Sequence, residues 1–219
     1  MTSTEKSSRK TYHHGDLASE LLRAAERELS ENGIESFSLR AVAKRAGVSH
    51  GAPAHHFRDA RGLLTALAAS GFRRLVATQE ARQDAAERDV RSQQIAVGLG
   101  YIDFALENPA LFRLMFSSEK PDRTVADLGA ASIAAYEKLM SGVRSVVGNN
   151  PPDDPGAMKH VMASWAMAHG LADLIVSGRA ERPLNFSALS PQERDALLSD
   201  LMASQLDVRF AVDFPPPAP

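Results

Sequence analysis

Apolar residues recur every three or four positions along most of the chain and nowhere alternate convincingly, so the pattern predicts helices throughout. Leu17, Leu21, Leu22, Ala25 and Leu29 form one stripe of a helix over Asp16 to Asn32, closed by Asn32-Gly33. Ile34 and Phe37 cover the entry to a second helix, where Leu39, Val42, Ala43 and Ala46 share a face behind the N-cap residue Ser38. Gly47 stands where that helix must stop and reverse, a position that favours positive φ. Val48 plugs the turn, and Ser49 is placed to cap a third helix over about residues 50–56. Small Ala43 at the crossing point, then a gap of three residues, Gly47 and an apolar residue, is the helix-turn-helix pattern.

The remaining stripes extend this reading. Asp59 caps a fourth helix through Leu63, Leu64, Leu67 and Leu75. Residues Gln79 to Gln94 are dense in charge and glutamine, which predicts a helix end and a domain boundary near residues 80–90. Further helices are expected over Ile95 to Glu107, Ala110 to Phe116 behind Asn108-Pro109, and from Pro121–Arg123 to near Val147. After a loop of Gly, Asn, Pro and Asp come Gly156 to Ser177 and a last helix from Ser190-Pro191 to Phe210. The expected fold class is all-α, with a helix-turn-helix domain over residues 13–75 and a helical ligand-binding and dimerisation domain over 85–210. A polar arm (1–12) and a Pro-rich tail (211–219) flank them, and Arg9 and Lys10 read either as a DNA-reaching arm or as unconstrained chain.

Met158 to Val176 is apolar nearly all round, so it must be covered nearly all round. Either it is a central core helix, or a second copy of the chain covers one face. Leu197, Leu198, Leu201, Met202, Leu206 and Phe210 on the last helix would then complete a four-helix interface about a twofold axis. Tyr101, Phe104, Phe112, Met115, Phe116, Met162 and Trp165 come from separate helices and read either as plain core or as the lining of an adaptable ligand pocket. His169, one turn from Trp165, is either a structural histidine or a group that orients a polar ligand atom.

Composition narrows the classes. The 219 residues contain 44% hydrophobic residues, enough for a core, and no cysteine, which excludes disulfides and thiolate metal sites. His13-His14 are adjacent rather than four apart, a poor metal pair, and nothing calls for a cofactor. No apolar run reaches membrane-spanning length, and the polar N-terminus lacks a signal-peptide stretch, so a cytoplasmic protein is expected. The net charge of −2 hides an asymmetry. Residues 1–61 carry ten Lys or Arg against eight Asp or Glu, and the remainder fifteen against nineteen.

Ser38 to Arg61 holds Arg40, Lys44, Arg45, Arg58 and Arg61 against the single anion Asp59, with His50, His55 and His56 among them. A basic stripe on a helix-turn-helix suits a phosphate backbone. The same stretch contains Gly47-Val48-Ser49-His50-Gly51, a match to the G-x-S-x-G nucleophile elbow, which requires a strand before the serine. The Ala-rich helical period before Ser49 argues against that strand.

Ser38-Leu-Arg-Ala-Val-Ala-Lys-Arg-Ala-Gly-Val-Ser49, His55-His56-Phe57 and Leu63-Leu64 resemble the N-terminal signature of the TetR family of bacterial transcriptional regulators. Phe104-Ala, Asn108-Pro109-Ala-Leu-Phe-Arg-Leu-Met-Phe116 and Trp165 with His169-Gly170 resemble a subgroup named for its Trp-His-Gly region. The resemblance implies a homodimer with one recognition helix per protomer and a C-terminal domain that binds a small molecule. By position it implies that Ser38, Lys44 and Ser49 meet phosphates, and that His50, Gly51, Ala52, His55 and His56 face the major groove, where Ala52 could touch a thymine methyl. Where the family usually has Tyr before the final His-Phe and Lys at the start of the fourth helix, this chain has Ala54 and Ala60, so two phosphate contacts are missing, and Arg58 and Arg61 stand nearby. The expected function is a ligand-responsive repressor that binds a palindromic operator in double-stranded DNA and is released by an effector. A helical dimeric adaptor and a hydrolase using Ser49 are the alternatives.

Overall fold

The structure is a computed structural model, and it describes residues 14–213; the arm and most of the tail, including Arg9 and Lys10, lie outside them. Among the described residues every regular element is helical. The α-helices are α1 (His14–Asn32), α2 (Leu39–Ala46), α3 (Ala52–Phe57), α4 (Ala60–Ala85), α5 (Val90–Glu107), α6 (Pro109–Phe116), α7 (Ala126–Val147), α8 (Pro155–Val176), α9 (Glu181–Leu184) and α10 (Pro191–Asp213).

Local sequence explains the front three. The Ser38 hydroxyl accepts from the Ala41 N–H at 3.3 Å and starts α2. Gly47 ends it at φ +68°, donating to the Lys44 carbonyl at 3.2 Å, while Val48 donates to Ala43 at 3.0 Å. This pair of bonds closes the last turn and reverses the chain. α3 starts later than expected. Ser49 does not cap it through its side chain; its carbonyl accepts from Ala52 in a turn, Gly51 is the cap, and buried Pro53 sits in the first turn. A proline there lacks a donor that the helix would leave unpaired anyway.

α4 joins the two halves. Leu63, Leu64 and Leu67 pack with Leu21, Ala25 and Val42 of the front helices, and Phe72 and Leu75 continue the same core into the rear. The run read as a helix end at Gln79 is still helix, because Gln79 is buried on the α4 face that packs against α5. Gly100 allows that contact: a Cβ there would lie 2.6 Å from the Gln79 Cα. α5 begins at Val90 behind the N-cap Asp89, five residues before the apolar run suggested. α9 and the short turns around it carry no stripe and were not expected.

Ion pairs fasten the front to the rear. Arg74 on α4 donates to both oxygens of Glu26 on α1, at 2.6 and 2.8 Å, and to Asn108 at the α5–α6 corner at 2.6 Å. Arg82 pairs with Asp103 on α5 and with Asp195 on α10 at 2.7 Å. Hydrogen bonding to Asp103 raises the Arg82 pKa above its already high value, so this tie is charged at any ordinary pH.

Candidate nucleic-acid interface and rear cavity

The turn and the third helix project from the front of the molecule. Ser49, His50, Gly51, Ala54, His55 and His56 are exposed, and Ala52 is half-buried. Ser38, Arg40, Lys44, Arg58 and Arg61 are also exposed. Arg40 and Lys44 have no ion-pair partner among the described residues, whereas Arg58 lies 3.2 Å from Asp59 and Arg61 4.0 Å from Asp122. These exposed ion pairs are weak enough for a phosphate to replace.

Arg45 departs from the expected set. Its guanidinium donates to both oxygens of Glu31 at 2.9 and 2.6 Å and to Glu28 at 3.1 Å. The hydrogen bond from Arg45 holds the Glu31 carboxyl below its usual range. The cause is helix geometry: α1 presents Glu28 and Glu31 on the edge that faces α2. Arg45 is therefore a strut between two helices and not an available cation.

The end of α3 is tightly constructed. Arg58 has φ +67° and ψ −58°, and Asp59 N–H donates to the Phe57 carbonyl at 2.8 Å, a γ-turn in a region that side chains other than glycine avoid. Asp59 then caps α4 by accepting from Gly62 N–H at 2.8 Å, which lowers its pKa. Gly62 must be glycine, since a Cβ there would stand 2.0 Å from the Phe57 carbonyl oxygen. α3 and α4 consequently move as a unit. Ser49 follows a helix and a turn, not a strand, so the nucleophile-elbow geometry is absent around it.

The rear encloses a cavity of about 250 Å³ between α4, α5, α7, α8 and α10. Of the eight residues expected to line it, Tyr101, Phe116 and Trp165 do. Phe104, Phe112 and Met115 are instead packed in the core, at 0%, 1% and 1% exposure. Met162 is 49% exposed, because it lies roughly a third of a turn away from the inward line of Ala157, Val161, Ser164 and Ala168 on α8. His169 is outside the lining, but its Nδ1 shares a 2.8 Å hydrogen bond with the Tyr101 hydroxyl. Burial keeps both neutral: it raises the Tyr101 pKa and lowers that of His169, the latter partly offset by Asp173. Sequence reasoning missed Gln79, Gln94, Arg123, Ser132 and Tyr136, which also line the cavity. Gln79 had a signal, since it stands four residues after Leu75 on an otherwise apolar stripe.

A helix-turn-helix that displays unpaired cations, carried on a helix that also walls an apolar cavity, defines a DNA-binding transcriptional regulator. The model of the bacterial regulatory proteins of the tetR family matches residues 21–67, and that of the tetracyclin repressor-like C-terminal domain matches residues 95–203. The chain belongs to the TetR family. The regulator BetI of Burkholderia cenocepacia is 28% identical to it over 191 residues, covering 72% of this chain and 93% of the relative. A structure of a protein of unknown function from Rhodococcus is 30% identical and superposes with a TM-score of 0.71 over 93% of this chain and 98% of that one. The TetR family regulator PfmR of Thermus thermophilus, at 18% identity, shares the fold with a TM-score of 0.59, covering 85% of this chain and 97% of that one. No helix among the described residues is long and apolar enough to cross a membrane.

Proposed function

We propose that the protein is a ligand-responsive repressor that binds a palindromic operator as a homodimer and leaves it when a small molecule fills the rear cavity. The observation that carries this reading is the double duty of α4. Its first turn is locked to the end of α3 through Gly62, and its second half supplies Phe72, Leu75 and Gln79 to the cavity wall. A shift of α4 to accommodate a ligand therefore tilts α3. The α6–α7 connection offers a second route. Asp122 N–H donates to the Thr65 hydroxyl on α4 at 2.8 Å, Lys120 lies 3.5 Å from Glu35, and Arg123 of the same segment lines the cavity.

Exposed apolar surface supports the dimer. Met162, Ala163, Ala166 and Leu174 face outward along one side of α8, with half-buried Gly170 among them, and the large Met162 and Leu174 are 49% and 43% exposed. Such a stripe on a soluble helix is expected to be covered by a second copy. Phosphate contacts come from Ser38, Arg40, Lys44, Ser49, Arg58 and Arg61, and base readout from His50, Gly51, Ala52, His55 and His56. Two α3 helices roughly 34–36 Å apart would read successive major grooves. A full switch needs the ligand to favour the released state by about 5.5 kcal/mol. Sedimentation of the intact protein and of Met162→Glu/Leu174→Glu tests the assembly: the unaltered chain is expected to be a dimer and the variant a monomer with much weaker operator binding. A monomeric unaltered chain overturns the dimeric mechanism.

A further inference from the structure

The cavity wall contains one buried polar atom with no partner. Gln79 is 4% exposed, and its Nε2 donates to the Val97 carbonyl at 3.2 Å. A carbonyl only accepts, so the amide nitrogen must face Val97 and Oε1 must be the remaining end. That oxygen has no hydrogen bond, and Gln79 lines the cavity. Buried polar groups are almost always satisfied, and an exception in a cavity wall needs a reason. Gly100 holds the α5 backbone against Gln79, which leaves the residue no room to turn away.

The charge in the wall is one-sided. No Asp or Glu lines the cavity, and its only charged residue is Arg123. The exposed Arg123 marks where the cavity meets solvent. Its guanidinium donates only to the carbonyls of Met115 at 3.0 Å and Ser118 at 3.4 Å, with no carboxylate partner among the described residues. An arginine is always cationic and accepts a planar anion through two donors. Between these two groups the wall is largely aromatic: Phe72, Tyr101, Phe116, Tyr136 and Trp165.

We propose that this cavity takes a singly anionic amphiphile whose aromatic or aliphatic body carries an N–H or O–H donor, the donor meeting Gln79 Oε1 and the anion meeting Arg123. The proposal rests on the reading of the cavity as the effector site. It also gives the effector a lever. An anion that draws Arg123 from the carbonyls of Met115 and Ser118 displaces the segment whose neighbour Asp122 is bonded to Thr65 on α4.

Toluidinonaphthalene sulfonate is a suitable probe, with an aromatic body, one N–H and one sulfonate. Trp165 is the chain's one tryptophan and lines the cavity, so energy transfer from it to the dye reports binding there. In the intact protein the dye is expected to bind about tenfold more tightly than its desulfonated parent. R123Q should erase that ratio and R123K should keep most of it. The N-methylated dye should bind about fivefold more weakly than the parent dye, a ratio that Q79M should level. Each comparison is a ratio within one variant, so a loss of stability does not imitate it. Equal binding of all three dyes to the unaltered protein would overturn the proposal and leave the effector cavity standing. Absence of energy transfer with every dye would overturn the effector-cavity reading itself.

Discussion

The front and the rear of this molecule place their polar groups on opposite sides of the surface. In the front, Arg40, Lys44, His50, His55 and His56 point to solvent over a small apolar core. In the rear, Gln79, Gln94 and Ser164 are buried in the wall of a cavity. Display suits a long polyanion, which is met from outside and pays no burial cost. Enclosure suits a small molecule, which must be desolvated to be recognised. The difference also separates two kinds of arginine. Arg40 is displayed, whereas Arg45, Arg74 and Arg82 are bound to carboxylates and hold helices together.

The largest expected effect comes from the rear core. Phe104→Ala should destabilise the fold by about 3–5 kcal/mol in chemical denaturation, because the side chain is fully buried and leaves a cavity. Trp165→Ala, in the cavity wall, should alter ligand binding at a smaller stability cost. Next, Gly62→Ala should cost about 1–3 kcal/mol and also weaken DNA binding, since the added methyl collides with the Phe57 carbonyl that ends α3. Unchanged DNA affinity in that variant would break the link drawn between α3 and α4.

Among the cations, Lys44→Ala should leave the melting temperature unchanged, weaken DNA binding several-fold and reduce the salt slope by about 0.9. Arg45→Ala should do the reverse, lowering the melting temperature with little change in slope. If both variants lower the slope equally, the division between displayed and structural arginines fails. The smallest effect is at His169. Burial lowers its folded pKa, so the unfolded chain takes up the proton first, and stability should fall as pH drops below 6.5. His169→Gln should remove that part of the pH dependence in thermal melts.

Much of the front was legible because its signals are local. Ser38, Gly47 and Asp59 act within three or four residues of themselves, and their capping roles follow from residue type and spacing. Ser49 misled because Pro53 and Gly51 set the start of α3 instead. Arg45 misled because its partners lie on another helix, 14 and 17 residues away. In the rear, periodicity separated helix from loop, but it could not separate wall from core. Phe112 and Phe116 lie on one short helix, and only the packing of α4, α5 and α8 around it decides that Phe116 meets the cavity and Phe112 does not. Gln79 and Gln94 read as surface because glutamine usually is; their burial depends on the close passage of α5 at Gly100 and of α7 at Gly142.

The most direct test is footprinting of the intact protein on fragments that it selects from its source genome. The account predicts a twofold-symmetric site with protected major grooves centred roughly 34–36 Å apart, lost at moderate salt and lost in Lys44→Ala/His55→Ala. A single unpaired patch, or binding that ignores both salt and those substitutions, would contradict it.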